Sequence, residues 1–430
     1  MSYMRFSAAP AGRLSDRTIP WAIFGERPDV PDGLEDSALA GANLAQIASS
    51  PGAPMFEPES LFGAHMAAQD LPVVDDAPVV VFVHGFQHEP RRPVLPRARS
   101  DNPHRCLYHF TETPGGPGSR EERSRHITPW FARAMLEQGR GDAEDCHGVA
   151  VGYSYASWGG SADDFLPGRV TDFATRTGLT ARYRTPDSPF VNAYRDAEVA
   201  GYGLAAVLTQ LRARLDHEGL CDKRIDIVAH SLGARAVMSA LAMVAQRWPN
   251  DGTLARIDRV LLMGGACYWG QAAYALANIT FANPDQGPSF FNFTSRSDNV
   301  LRYLRCRRTM PCAMAEAEED LSLEKKIHRT LRHGQTIGWH GQPPHKLYEF
   351  FGDPFDDWVD VPLDSARVAR WGASKGFHLK GRRRFSLGDH WIHYTHPGNW
   401  GLYRAILHDR ENWSVNDLKA AVARRASSSS

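Results

Sequence analysis

A serine, a histidine and a carboxylate can together break an ester. The histidine takes the serine's proton, the carboxylate fixes the imidazole's tautomer, and two preorganised donors hold the oxyanion. The chain has a serine where such chemistry needs it: Ala229-His230-Ser231-Leu232-Gly233 lies where a strand-type run, Ile225 to Val228, gives way to a helix-type run from Ala234 to Trp248 that Pro249 stops. A serine on so sharp a turn projects its Oγ off the end of the sheet, beside a helix N-terminus that favours developing negative charge. Ala229 and Gly233, two residues to either side, supply the small side chains that the turn demands.

A carboxylate follows the second strand pattern beyond the serine: Asp298 comes just past Phe290-Phe291-Asn292-Phe293-Thr294. The alternative role for Asp298 is as N-cap of a helix over Val300 to Leu304. Asp285 is disfavoured, because it stands in the turn ahead of that strand and so at the wrong edge of the sheet. The base is less sharply marked. His390, His393 and His396 recur at intervals of three, with His390 directly after a small-residue turn; His393 and His396 stay open as rivals. The same spacing could suggest a metal site, but no acidic ligand completes it and Pro397 interrupts the pattern.

The serine turn resembles the nucleophile elbow of the α/β-hydrolase superfamily, Gly-x-Ser-x-Gly, with Ala229 in place of the first glycine. Serine, acid and histidine also occur in that superfamily's order, each after a successive strand. His84-Gly85-Phe86, at the end of the apolar run Val79 to Val83, is similar to its His-Gly loop. The resemblance implies Ser231, Asp298 and His390 as the catalytic residues and the amides of Leu232 and Phe86, with Gln87 beside it, as the oxyanion hole. It makes His84 a structural hydrogen-bonding residue rather than a base. It implies a carboxylesterase- or lipase-like serine hydrolase acting on an ester or thioester of a small-molecule or lipid-like acyl substrate, without cofactor or metal. The likeness is to bacterial α/β-hydrolases of undefined substrate. An acyltransferase with the same triad and a non-catalytic binding scaffold are the alternatives; dehalogenase and epoxide hydrolase branches are disfavoured because the elbow carries serine, not aspartate. Phe86, Tyr153, Tyr155, Trp158, Tyr268 and Trp269 fall at or just beyond strand ends, as an acyl pocket or as core aromatics.

The elements that must position these residues read as an α/β, doubly wound, mostly parallel sheet. Strand patterns alternate with helical ones, including a long helix to His217 in which Leu204, Leu208, Leu211 and Leu215 share a face. Residues 1–71 read as an irregular extension packed on the core and 72–410 as the hydrolase domain, with insertions at about 87–126, 161–189 and 305–380. The last insertion holds an amphipathic helix over 313–331 and a Trp- and Asp-rich stretch over 351–371, and the last strand is expected at 383–387. Residues 411–430 read as a polar segment with a disordered serine tail. With 49 basic and 49 acidic residues, no overall field recruits nucleic acid. Met1 to Arg27 hold no apolar run with the length of a signal-peptide core, no later segment approaches that of a membrane helix, and the six irregularly spaced cysteines suit reduced thiols, so a cytoplasmic protein is expected. A structural zinc at Cys306 and Cys312 is disfavoured for want of a second close pair.

Overall fold

The computed structural model describes residues 2–10, 21–26, 43–47, 78–86, 103, 107–108, 130–135, 148–155, 157, 189–283, 287–304, 335–342, 356–381 and 389–423. Among these residues nine strands form one sheet: β1 (Ser2–Pro10), β2 (Trp21–Glu26), β3 (Asn43–Ile47), β4 (Val79–Val83), β5 (Val149–Tyr155), β6 (Ile225–His230), β7 (Ile257–Met263), β8 (Ser289–Thr294) and β9 (Trp358–Pro362). Their spatial order is β3-β2-β1-β5-β4-β6-β7-β8-β9. From β1 to β9 along that order every neighbouring pair is parallel, which makes seven parallel strands, while β2 and β3 continue the sheet in antiparallel fashion.

The central strands are apolar because both of their faces are covered. In β4, Val79, Val81 and Val83 enter one core, while Val80 and Phe82 enter another on the opposite face. The helices that cover these faces are α1 (Trp130–Met135), α2 (Pro189–His217), α3 (Leu232–Arg247), α4 (Thr253–Arg256), α5 (Trp269–Ala282), α6 (Asn299–Leu304), α7 (Ile337–His340), α8 (Ala366–Ser374), α9 (Ile392–Thr395), α10 (Pro397–His408) and α11 (Val415–Ala423). The first core takes its apolar residues from α2, α3 and α5, the second from α1, α8, α10 and α11. Leu204, Leu208, Leu211 and Leu215 of α2 are all buried in the first core, as their spacing predicts. One turn beyond Ser231, the buried Arg235 of α3 pairs with Glu198 of α2 and lies 3.6 Å from the centre of the Tyr194 ring, which ties the elbow helix to its neighbour.

The described residues correct three sequence expectations. The N-terminal extension is not irregular: β1 pairs with β5 in parallel and buries Met4, Phe6 and Ala8. Its small and polar residues hide a period-two pattern that only the neighbouring strand completes. The stretch expected to be an insertion up to 380 supplies β9, parallel to β8, and the helix α8. The signal was masked by Asp360, an acidic residue in a buried strand. The fold accommodates it with three donors: Asn292 Nδ2 at 2.7 Å, Trp358 Nε1 at 2.9 Å and the Gln342 amide at 2.6 Å. Finally, the C-terminal segment beyond 410 is not merely polar, since α11 buries Val415 and Leu418. The strand expected at 383–387, the helix at 313–331, the serine tail and most of the insertions at 87–126 and 161–189 lie outside the described residues.

Candidate active site

The β6–α3 junction places Ser231 in a backbone conformation that side-chain-bearing residues rarely adopt. Its φ is 54° and ψ −119°, and it is the one non-glycine residue with positive φ among those described. Such a conformation costs on the order of 1–3 kcal/mol and persists only where neighbours over-determine it. Here the Ser231 amide donates to Met263 O at 3.0 Å, and the Ser231 carbonyl accepts from Ala266 N at 2.8 Å and Ala234 N at 3.1 Å. The hydroxyl is not spent on capping α3, although Ser231 stands at that helix's N-cap. Leu232 is the first residue of α3, so its amide belongs to the unpaired first turn of a sixteen-residue helix.

Beside the elbow runs the loop at the end of β4. A Cβ on Gly85 would come within 2.7 Å of Ser231 Cβ, and one on Gly233 within 2.5 Å of the carbonyl oxygens of Val83 and His84. Only glycine at both positions lets the two turns touch. His84 fixes this loop: Nε2 accepts from the Tyr155 amide at 3.0 Å, which assigns the proton to Nδ1, and Nδ1 donates to Gly85 O at 2.6 Å. Ser157 Oγ donates to the same carbonyl at 2.8 Å, and the Tyr155 phenol donates to His84 O at 3.2 Å. His84 is thus bound into the scaffold, as expected of it, and Phe86 follows half-buried at the loop's end.

Asp298 is fully buried, and each of its two oxygens has a different partner. Oδ1 accepts from the Leu301 amide at 3.0 Å and caps α6, while Oδ2 accepts from His390 Nδ1 at 2.7 Å. Burial by itself would raise its pKa. The charge and hydrogen bond of His390, then His393 and the Leu301 amide, outweigh that and hold the carboxyl below its ordinary value. His390 thereby has one nitrogen committed to the acid and Nε2 left over. Its turn is drawn to the elbow by His230, the residue before Ser231, whose Nε2 donates to His390 O at 3.3 Å with the rings 4.6 Å apart. No hydrogen bond joins Ser231 Oγ to His390 among the described residues.

Of the rival histidines, His396 stands at the N-cap of α10, its carbonyl accepting from the Asn399 amide at 3.2 Å. His393 approaches the acid more closely, its Nε2 3.8 Å from Asp298 Oδ2, with both ring nitrogens buried and unbonded. Burial pushes its pKa down to about 4; Asp298 opposes this shift and His390 adds to it. A histidine that titrates lower when folded than when unfolded contributes stability that is intact above its unfolded pKa, near 6.5, and lost as pH falls to about 4. His393→Phe should therefore flatten the loss of stability between pH 7 and pH 4 by on the order of 3 kcal/mol, measured by urea unfolding at both pH values. Equal slopes in the two proteins would show that His393 takes up its proton at the same pH in the folded and unfolded chain.

The aromatic candidates separate. Tyr153 and Tyr155 belong to the core: both are fully buried, with the Tyr153 phenol donated to Ala200 O at 2.5 Å and that of Tyr155 to His84 O. Trp269 is half-buried and donates from Nε1 to Gly341 O at 2.8 Å, and the half-buried Tyr268 packs on Tyr194. Trp158, Gln87, Asp285, Cys306 and Cys312 lie outside the described residues. Three residues at the site were not foreseen. His230 sits inside the elbow motif as an unspecified position. Gly264, at φ 56°, leaves room for the His393 ring, which a Cβ there would meet at 2.9 Å. Trp391 stands 40% exposed immediately after His390, and an aromatic flanking a candidate base was a signal in plain view.

No family model, no curated protein and no solved structure matches the chain. Among the described residues, no helix is long and apolar enough to cross a membrane.

Proposed function

We propose that the protein is a serine hydrolase of α/β-hydrolase type that cleaves an ester or thioester through an acyl-enzyme. Ser231 Oγ attacks the carbonyl as His390 Nε2 takes its proton, Asp298 holds the imidazole through Nδ1, and the amides of Leu232 and Phe86 receive the oxyanion. The intermediate collapses as His390 returns the proton to the departing alcohol or thiol. Water then repeats the sequence and frees the acid. The observation that carries this reading is the 2.7 Å Asp298–His390 couple, set beside a serine whose backbone is held at φ 54°. The free thiols of Cys221 and Cys267 suit a reducing, cytoplasmic setting.

The test is a fluorophosphonate probe applied to the purified protein, with the adduct located by mass spectrometry. The expected result is one adduct, on Ser231, absent from Ser231→Ala and His390→Ala, together with hydrolysis of p-nitrophenyl acyl esters. A labelled serine with no hydrolysis, but with acyl transfer to an added alcohol or amine, would make it an acyltransferase. Folded protein that takes no probe, small or large, would point to a binding scaffold.

A further inference from the structure

His393 has no assigned part in the proposed mechanism, yet it stands against the acid. It lies on α9, one turn past His390, fully buried with its Nε2 3.8 Å from the oxygen that His390 uses. Neither ring nitrogen has a hydrogen-bond partner among the described residues. Leaving such groups buried and unpaired destabilises the fold, a penalty that a phenylalanine of similar shape would avoid. Gly264 takes a left-handed conformation at φ 56° directly beneath the ring, with no Cβ to push it away. The ionisable groups around it are Asp298 at the start of α6, His390 in the preceding turn and, from α10, the Tyr403 phenol, which donates to the His393 carbonyl at 3.1 Å.

At 3.8 Å the contact is too long for a hydrogen bond. It is short enough for the ring's dipole to act on a carboxylate in a dry site, where little water screens it. We propose that His393 is a second imidazole on the acid, a positioning residue whose Nε2–H dipole faces Asp298 Oδ2 and limits how tightly that oxygen holds the His390 proton. The proposal rests on the hydrolase reading for its catalytic meaning, but the electrostatic coupling exists whether or not the serine reacts. Removing the dipole leaves Asp298 with the same two hydrogen bonds and less competition for its charge. The carboxylate then holds protonated His390 more strongly, and His390 becomes free to act as a base only at higher pH.

The test compares wild type with His393→Phe, which keeps a flat ring without nitrogens, His393→Gln, whose amide reaches the Nε2 position, and His393→Asn, whose amide falls short of it. Rates of fluorophosphonate labelling are measured from pH 5 to pH 9, and the His390 Nδ1–H resonance is followed by low-field proton NMR over the same range. The Phe and Asn variants should show an acid limb displaced upward by about half a unit to one unit, with labelling at pH 6 slowed roughly 3- to 10-fold and the alkaline plateau unchanged. The Gln variant should restore the wild-type limb. A ring that merely fills space would change melting temperature in all three variants and move the limb in none, and that result would overturn the proposal. The Gln–Asn comparison gives the same answer if the Phe variant does not fold. If the wild type takes no probe, the hydrolase reading fails, and the NMR titration of His390 alone decides whether His393 is coupled to Asp298.

Discussion

Replacing Asp298 with asparagine should lower kcat about 10⁴-fold on a p-nitrophenyl ester while leaving the fold intact. The expectation follows from what each oxygen does. Oδ1 caps α6 through the Leu301 amide at 3.0 Å, and asparagine caps helices as well as aspartate, so the helix and its packing should survive. Oδ2 accepts from His390 Nδ1 at 2.7 Å. An amide NH₂ in that place donates instead of accepting, so it requires an unprotonated Nδ1 and drives the imidazole proton to Nε2. A ring protonated at Nε2 cannot take the proton of Ser231. The predicted signature is a collapse of kcat with a melting temperature within a few degrees of wild type. Asp298→Ala should lose the cap as well, at a further cost of about 1 kcal/mol in stability. An asparagine variant with a tenth of wild-type activity would mean that Asp298 is a capping residue and that the acid lies elsewhere.

What the sequence made legible, and what it did not, divides by the range of the signal. The β6–α3 elbow is encoded within about a dozen consecutive residues, so its strand, turn and helix could be read directly. The helical face of α2 was equally local. Asp298 posed a choice between helix cap and candidate acid that residue types could not resolve, because one carboxylate has two oxygens: here one accepts from the Leu301 amide and the other from His390 Nδ1. The three histidines were ambiguous for a geometric reason. His390 and His393 lie in consecutive helical turns three residues apart, so both rings come round to the same side and both approach Asp298. Their contacts to Asp298 separate them, 2.7 Å from His390 Nδ1 against 3.8 Å from His393 Nε2, and no spacing rule carries that difference.

The strands β1 and β9 were missed because their burial is supplied by partners far along the chain. Phe6 of β1 pairs opposite Tyr153, and Asp360 of β9 opposite Asn292. Neither strand has the continuous apolar run that identifies β4. Tyr153 and Tyr155 were ambiguous for a related reason: they stand at positions i and i+2 of β5, so they share one face of the sheet, and it is α2 that decides the face is interior. The histidine of the elbow, His230, is not legible as a site residue because the motif leaves that position unspecified. Its bond to the His390 carbonyl is a contact across 160 residues.

The second large effect concerns the oxyanion site. Gly85→Ala should reduce kcat roughly 10²- to 10³-fold with little change in KM. The added methyl would lie 2.7 Å from Ser231 Cβ and 3.1 Å from both the Nδ1 and the carbonyl oxygen of His230. Those atoms cannot yield, since the Ser231 backbone is pinned by three hydrogen bonds at an angle it would not otherwise adopt. The loop must therefore withdraw, and the Phe86 amide withdraws with it. An oxyanion donor acts on charge that exists only in the transition state, so its loss appears in kcat and spares substrate binding. Gly233→Ala serves as the contrasting variant. Its methyl would press within 2.5 Å of two main-chain oxygens at the end of β4, so the expected damage is to the packing of α3 on the sheet, and it should appear first as a lower melting temperature. A Gly85→Ala protein that turns over at the wild-type rate would remove the Phe86 amide from the mechanism and require the second donor to come from another loop.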